Sequence, residues 1–188
     1  MWMLLLALFA SIAQGRDIQL VRCGKPASAV VIPEKASPTA RFAAQELVEH
    51  VERISGTALP VVVEGSPEAS DIPKRWSRVY VGPTKRAELV PKNWGPHGFS
   101  IWTGRREIVI VGDDAPGIDK ESSPEDLWDR TGTLYGVYDL LQDHFGVRWL
   151  WPGPLGTVIP NTKRLRIPEG LRIVETPQLI NRFMRPTL

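Results

Sequence analysis

Residues 131–153 read TGTLYGVYDLLQDHFGVRWLWPG. Leu134, Val137, Tyr138, Leu141 and Phe145 recur at three- and four-residue spacing, the period of a helix with one apolar stripe. The spacing predicts a helix over 132–144, stopped by Gly146. Gly132 and Gly136 match neither a dinucleotide-binding nor a phosphate-binding glycine pattern, and no Lys-Ser/Thr follows. Bare backbone instead lets another element approach the helix closely. The exit sets Arg148, Trp149 and Trp151 beside Pro152 and Gly153, and the stretch contains no plausible catalytic constellation.

Upstream, the apolar run 29–33 ends in Pro33 and predicts a strand. Ser37-Pro38 is a helix start, with Ser as cap and Pro in the first turn. Ala40, Ala43, Ala44, Leu47, Val48, Val51 and Ile54 follow at helical spacing, with Glu46, Glu49, Glu52 and Arg53 on the other side and Gly56 as the stop. Further strands are predicted at 59–63 and 78–82, with a short helix at 84–89. Residues 99–103 and 107–111 read as a hairpin turning at Gly104-Arg105-Arg106. The second of these strands alternates weakly, which predicts cover on both faces. Residues 112–130 form a long polar loop, and a closing pair of strands is predicted at 156–159 and 164–167. The order β-α-β-β-β-β-α with late strands defines an α+β fold, a mixed β-sheet with two main helices packed on one face.

The chain has 188 residues, 43% hydrophobic and 23% charged, with a net charge of +2. These values suit a globular protein and exclude a strongly basic nucleic-acid binder. Residues 1–13 are apolar, too short for a mature membrane span, and lead to Ala13-Gln14-Gly15, a small-x-small cleavage pattern. A signal peptide over 1–15 is expected, with a secreted or periplasmic product and no stable membrane insertion after cleavage. Residues 16–28 form an N-terminal segment, 29–174 the α+β domain, and 175–188 reads as the start of a following domain. Cys23 is the single cysteine, so no intramolecular disulfide forms.

Hydrolysis by paired carboxylates needs two of them facing each other across a substrate. Asp113-Asp114 and Glu125-Asp126 with Asp129 are the acidic loop clusters, and a solvated loop accounts for them. His50, His97 and His144 are scattered, with no metal-ligand spacing. The expectation is no catalytic residue, no metal and no cofactor in this chain. Trp149 and Trp151 fit an interdomain seam or a platform on which sugar rings stack. Arg148 belongs to the same seam and would pair with an acid across it.

Several of these stretches together resemble the N-terminal accessory domain shared by alpha-glucuronidases and beta-N-acetylhexosaminidases. Residues 43–47 and 54–61, AAQEL and ISGTALPV, are similar to its first helix and exit. Gly98-Phe99-Ser100-Ile101 and residues 108–112 resemble its central hairpin, and residues 132–141, GTLYGVYDLL, its second helix. Gly146-Val147-Arg148-Trp149, Pro152-Gly153 and Gly156 look like a secreted bacterial subgroup. The resemblance covers about residues 29–182. It implies a hexosaminidase domain 2-like fold and an accessory role beside a C-terminal catalytic (β/α)8 barrel in the same chain, acting on a carbohydrate substrate. It further implies a substrate-binding role for Arg182 at the join to the first barrel strand, although Phe183 stands where the family has Gly. The alternative is a stand-alone carbohydrate-binding or interaction module.

Overall fold

The structure is a computed structural model and describes residues 17–114 and 130–177. Its strands are β1 (Asp17–Arg22), β2 (Lys25–Pro26), β3 (Ser28–Ile32), β4 (Val61–Val63), β5 (Ser77–Val81), β6 (Phe99–Gly104), β7 (Glu107–Gly112), β8 (Arg148–Trp149), β9 (Thr157–Val158), β10 (Leu165–Pro168) and β11 (Arg172–Glu175). Its α-helices are α1 (Pro38–Ser55), the single turn α2 (Pro67–Ser70) and α3 (Gly132–Asp139). The main sheet has six strands in the order β11-β6-β7-β5-β3-β4. The pairs β3–β4, β3–β5 and β5–β7 are parallel, and β6 and β11 add antiparallel neighbours. The sheet is therefore mixed, as the sequence predicts.

α1 is bounded by the two signals the sequence carries. Ser37 Oγ accepts the Ala40 amide at 3.1 Å. Gly56 takes the left-handed conformation at φ 71° and donates its N–H to Glu52 O. Ala43, Ala44, Leu47, Val51 and Ile54 are buried in one cluster with Val30, Val79, Val81, Ile108 and Ile110 of the sheet. Val137, Leu140 and Leu141 join the same cluster, so both main helices cover one sheet face. The opposite face carries Ala29, Val31, Val109 and Val111, shielded by Ile72, Trp76, Ala87, Val90 and Trp94 from the connecting segments. Strand β7 is thus enclosed on both sides, which is why its hydrophobic run lacks clean alternation.

The late strands pair differently from the expected closing hairpin. β9 pairs with β8, and β10 pairs with β1. Residues 16–28 carry no element in the sequence reading, yet Ile18, Leu20 and Val21 of β1 are fully buried with Leu165 and Ile167. The alternation in β10 leaves every second residue exposed, so it needs one covered face and one partner, and β1 supplies the partner. The second helix also departs from a uniform α-helix. After Asp139 it widens into a π turn over Leu140–His144, closed by Phe145 N–H donating to Leu140 O at 3.2 Å.

Close backbone packing explains the glycines of α3. A Cβ at Gly132 would strike the backbone of Gly98, Gly112 and Asp113, and one at Gly136 would lie 2.8 Å from Ile110 Cγ2. Backbone cannot yield as a side chain can. Gly132→Ala is therefore expected to cost about 3 kcal/mol of stability, the upper part of the overpacking range. Gly136→Ala meets side chains and gains helix propensity, so the expected net loss is about 1 kcal/mol. Urea unfolding of both variants checks the order; two variants as stable as the parent chain would disprove the close approach.

Candidate functional site

One side of α3 faces the core through Val137, and the helix turns Tyr135, Tyr138, Asp139 and Gln142 toward another side. These four positions follow the i, i+3, i+4, i+7 spacing that aligns side chains along one helix face. With Trp149 of β8 and Glu175 of β11 they line a groove of about 520 Å³. Phe99 at the start of β6 and Pro177 complete the lining.

Trp149 is fixed by two edge-to-face contacts, to Tyr138 at 5.3 Å and to His50 at 5.5 Å between ring centroids. The Tyr138 hydroxyl donates to Glu46 Oε2 at 3.1 Å. His50, 4% exposed, places Nδ1 2.9 Å from Glu46 O. A carbonyl only accepts, so Nδ1 carries the hydrogen, and Nε2 is left buried with no hydrogen-bond partner among the described residues. Burial first, and then the Glu46 charge, push the Tyr138 phenol above its ordinary value.

Asp139 differs from Glu46. It has no side-chain hydrogen bond or ion pair with any described residue. Its carboxyl is pushed up to about 6, chiefly by burial and then by the charges of Glu175 and Asp143. No cation among the described residues contributes.

The expected seam residues occupy distinct places. Trp149, 38% exposed, belongs to the groove wall; Trp151, 74% exposed, stands outside the groove on the β8–β9 hairpin. Leu150, Leu155 and Val158 are also exposed there, making an apolar tongue beside the groove. Arg148 does not pair with an acid among the described residues. Its guanidinium donates to the main-chain carbonyls of Gln142 and Val147 and ties the hairpin to the π turn. Arg182, Glu125, Asp126 and Asp129 lie outside the described residues, as do the expected signal peptide and the end of the chain.

Asp113 and Asp114 form a staple rather than a freely solvated pair. Asp114 accepts from Thr133 N at 2.8 Å and from Thr133 Oγ1 at 2.7 Å. Asp113 accepts from His97 N and from Arg130 Nη1. Burial, opposed by the Thr133 hydrogen bonds and reinforced by Asp113, pushes the Asp114 carboxyl up to about 6. The staple leads directly into the first turn of α3. Among the described residues no group of three His, Cys, Asp or Glu side chains converges as metal ligands would. Of the groove's side chains the sequence marks Trp149 alone as a candidate site residue, while Tyr138 reads as core and Phe99 as hairpin. Asp139, Gln142, Glu46, His50 and Glu175 were missed, and the signal available for the first two was their spacing from Tyr135 on the helix.

No family model matches the chain, and no curated protein matches it. Among solved structures, the chain is similar to a family GH115 4-O-methyl-alpha-glucuronidase with specificity for decorated arabinogalactans. The match has a TM-score of 0.55 and 15% identity, and covers 86% of this chain but 18% of that one. A GH20 beta-N-acetylhexosaminidase from Streptomyces coelicolor A3(2) matches with a TM-score of 0.48 and 16% identity, over 87% of this chain and 24% of that one. The first likeness shows a shared fold. The chain spans less than a quarter of the length of either structure.

The Asp139 carboxyl binds its proton more tightly in the folded chain, at about 6, than its ordinary value of 3.8. Its contribution to stability is therefore greatest at low pH and is lost as pH rises from about 4 to 6. Asp139→Asn should remove that loss. With the carboxyl half-exposed and partly screened, the expected gain at pH 7 is about 1 kcal/mol. Thermal melts of both proteins across pH 4 to 7.5 check this: the gap should open above about pH 5 and close near 4. A gap constant with pH would refute the electrostatic account.

Proposed function

We propose that this chain is the N-terminal accessory domain of a secreted glycoside hydrolase, alpha-glucuronidase-like, that degrades polysaccharide. It performs no chemistry itself. It supports and orients a catalytic (β/α)8 barrel that follows in the same polypeptide, with residues 175–188 leading into it and Arg182 reaching the substrate. The observation that supports this most is the fold likeness, which takes in nearly all of this chain and a small part of a far longer glucuronidase. The exposure of Leu150, Trp151, Leu155 and Val158 on one hairpin supports it too, because several large apolar side chains left in solvent on one element suit an interaction surface. The apolar N-terminus with its Ala13-Gln14-Gly15 pattern supports export and a product beginning at Arg16.

A carbohydrate-binding module is the second reading. The fixed Trp149 ring beside polar side chains in an open groove favours it. Glycan-array binding of the isolated chain separates the two, since an accessory domain gives no signal there.

The docking reading makes a two-part forecast for the chain mixed with the separately produced remainder of its parent protein. Trp151→Ala should weaken association at least tenfold while changing the chain's own stability by less than about 0.5 kcal/mol, because the side chain touches little within the chain. Trp149→Ala should weaken association and also cost about 2 kcal/mol, since it loses the contacts to Tyr138 and His50. Calorimetric titration with thermal melts measures both. Unaltered association with the Trp151 variant would remove the tongue from the interface.

A further inference from the structure

We propose that the groove is a socket for a basic side chain, an arginine or lysine carried by the protein surface that covers the tongue, held by Asp139 and Glu175 and flanked by Tyr135 and Trp149. This rests on the docking reading above and adds the chemistry of the partner.

The hydrogen-bonding character of the lining carries the inference. Asp139 and Glu175 are acceptors when ionised. Gln142 directs its amide nitrogen to Asp143 Oδ1 at 3.4 Å, leaving its carbonyl oxygen to accept. The Tyr138 hydroxyl is already given to Glu46. The Tyr135 hydroxyl, the Trp149 indole and the second Gln142 N–H can still donate, but the two carboxylates give the groove more acceptor atoms than donors. A sugar hydroxyl both donates and accepts, whereas a guanidinium or ammonium only donates.

The charge points the same way. Among the described residues the lining contains two carboxylates and no basic side chain, and Asp143 adds a third negative charge nearby. Two arginines of the adjoining strands are engaged elsewhere. Arg148 is bound to carbonyls of Gln142 and Val147, while Arg172 lies 4.2 Å above the Trp102 ring and donates to Thr103 O. A carboxylate that has lost water without gaining a partner is stabilised most by an incoming cation. Aromatic walls suit the stem and the planar head of arginine. The tongue beside the groove gives the same partner an apolar rim, so that the anchor sits at the edge of a larger covered surface.

The test uses the 188-residue chain alone at pH 7 and low salt, followed by amide and indole NMR. Two probes are compared: the tripeptide acetyl-Leu-Arg-Phe-amide and its Gln counterpart. The expected result is a shift of the Trp149 indole and the Asp139, Gln142 and Glu175 amides with the Arg peptide, and at least fivefold weaker binding of the Gln peptide. The Asp139→Asn/Glu175→Gln double variant should bind the Arg peptide at least fivefold more weakly while melting no lower than the parent chain, which separates lost charge from lost fold. Equal binding of both peptides overturns the proposal in favour of a simple apolar cleft. Shifts from xylotetraose or chitotetraose without shifts from the Arg peptide overturn it in favour of a sugar site, and no shift with any probe overturns it outright. If the docking reading fails instead, the chain does not associate with the remainder of its parent, a result read in a different experiment.

Discussion

The contact on which the candidate site depends is between backbones. Gly112 and Gly132 bring the β7 exit and the first turn of α3 so close to each other, and Gly132 so close to the Gly98 carbonyl at the β6 entry, that no side chain fits between them. Hydrogen bonds from Asp113 N to Gly98 O, from Gly132 N to Asp113 O and from Gly112 N to Thr133 Oγ1 hold that approach. The position and roll of α3 follow from it. With the first turn pinned, Val137 and Leu140 must face the sheet, and Tyr135, Asp139 and Gln142 must face the groove. A one-position roll of the helix, 100° of rotation, would bury a carboxylate and expose part of the core.

The π turn continues the same geometry. It inserts extra backbone between Leu140 and Phe145, so that the chain leaves the helix directed at β8. Arg148 then folds back onto carbonyls at this widened end, including that of Gln142. A cation near a helix C-terminus also suits the dipole there. The result is that Trp149 sits over Tyr138 and His50, and the rest of the hairpin projects. Arg148 thereby helps to aim Trp149 from within the chain.

Much of the fold was legible because it rests on local rules. Ser37, Gly56 and the three- and four-residue spacing define α1 almost to the residue. The β6–β7 hairpin and the concealed character of β7 follow from its apolar run. The strand β1 escaped notice because Asp17-Ile18-Gln19-Leu20-Val21 is a weak pattern next to the longer apolar run that precedes it. The partners of β9 and β10 escaped because pairing is a long-range choice: β10 lies about 150 positions from β1 in sequence, and no local signal encodes that. For the site, aromatic residues near turn formers were visible in sequence, which singled out Trp149 and Trp151. The acidic side chains in and around the groove come from α1, α3, the π turn and β11, and only the fold brings these together.

Two half-hidden carboxylates separate what this neighbourhood needs for folding from what it keeps for something else. Glu46 lies beneath the groove and is satisfied: it accepts from Tyr138, and its own main-chain oxygen receives His50. That network joins α1 to α3 and seats Trp149, so its charge is compensated by structure. Asp139 lies on the neighbouring helix position to Tyr138 and has the opposite character, with like charges around it and no donor among the described residues. An asparagine or a leucine there would serve the fold better. Folding alone gives no reason to hold an ionised carboxylate half-buried beside two others, and such a placement suits the cation-binding role proposed for it. The location agrees with that reasoning, because Asp139 is flanked by the one tryptophan the chain goes to such lengths to orient and lies next to the apolar surface it leaves uncovered.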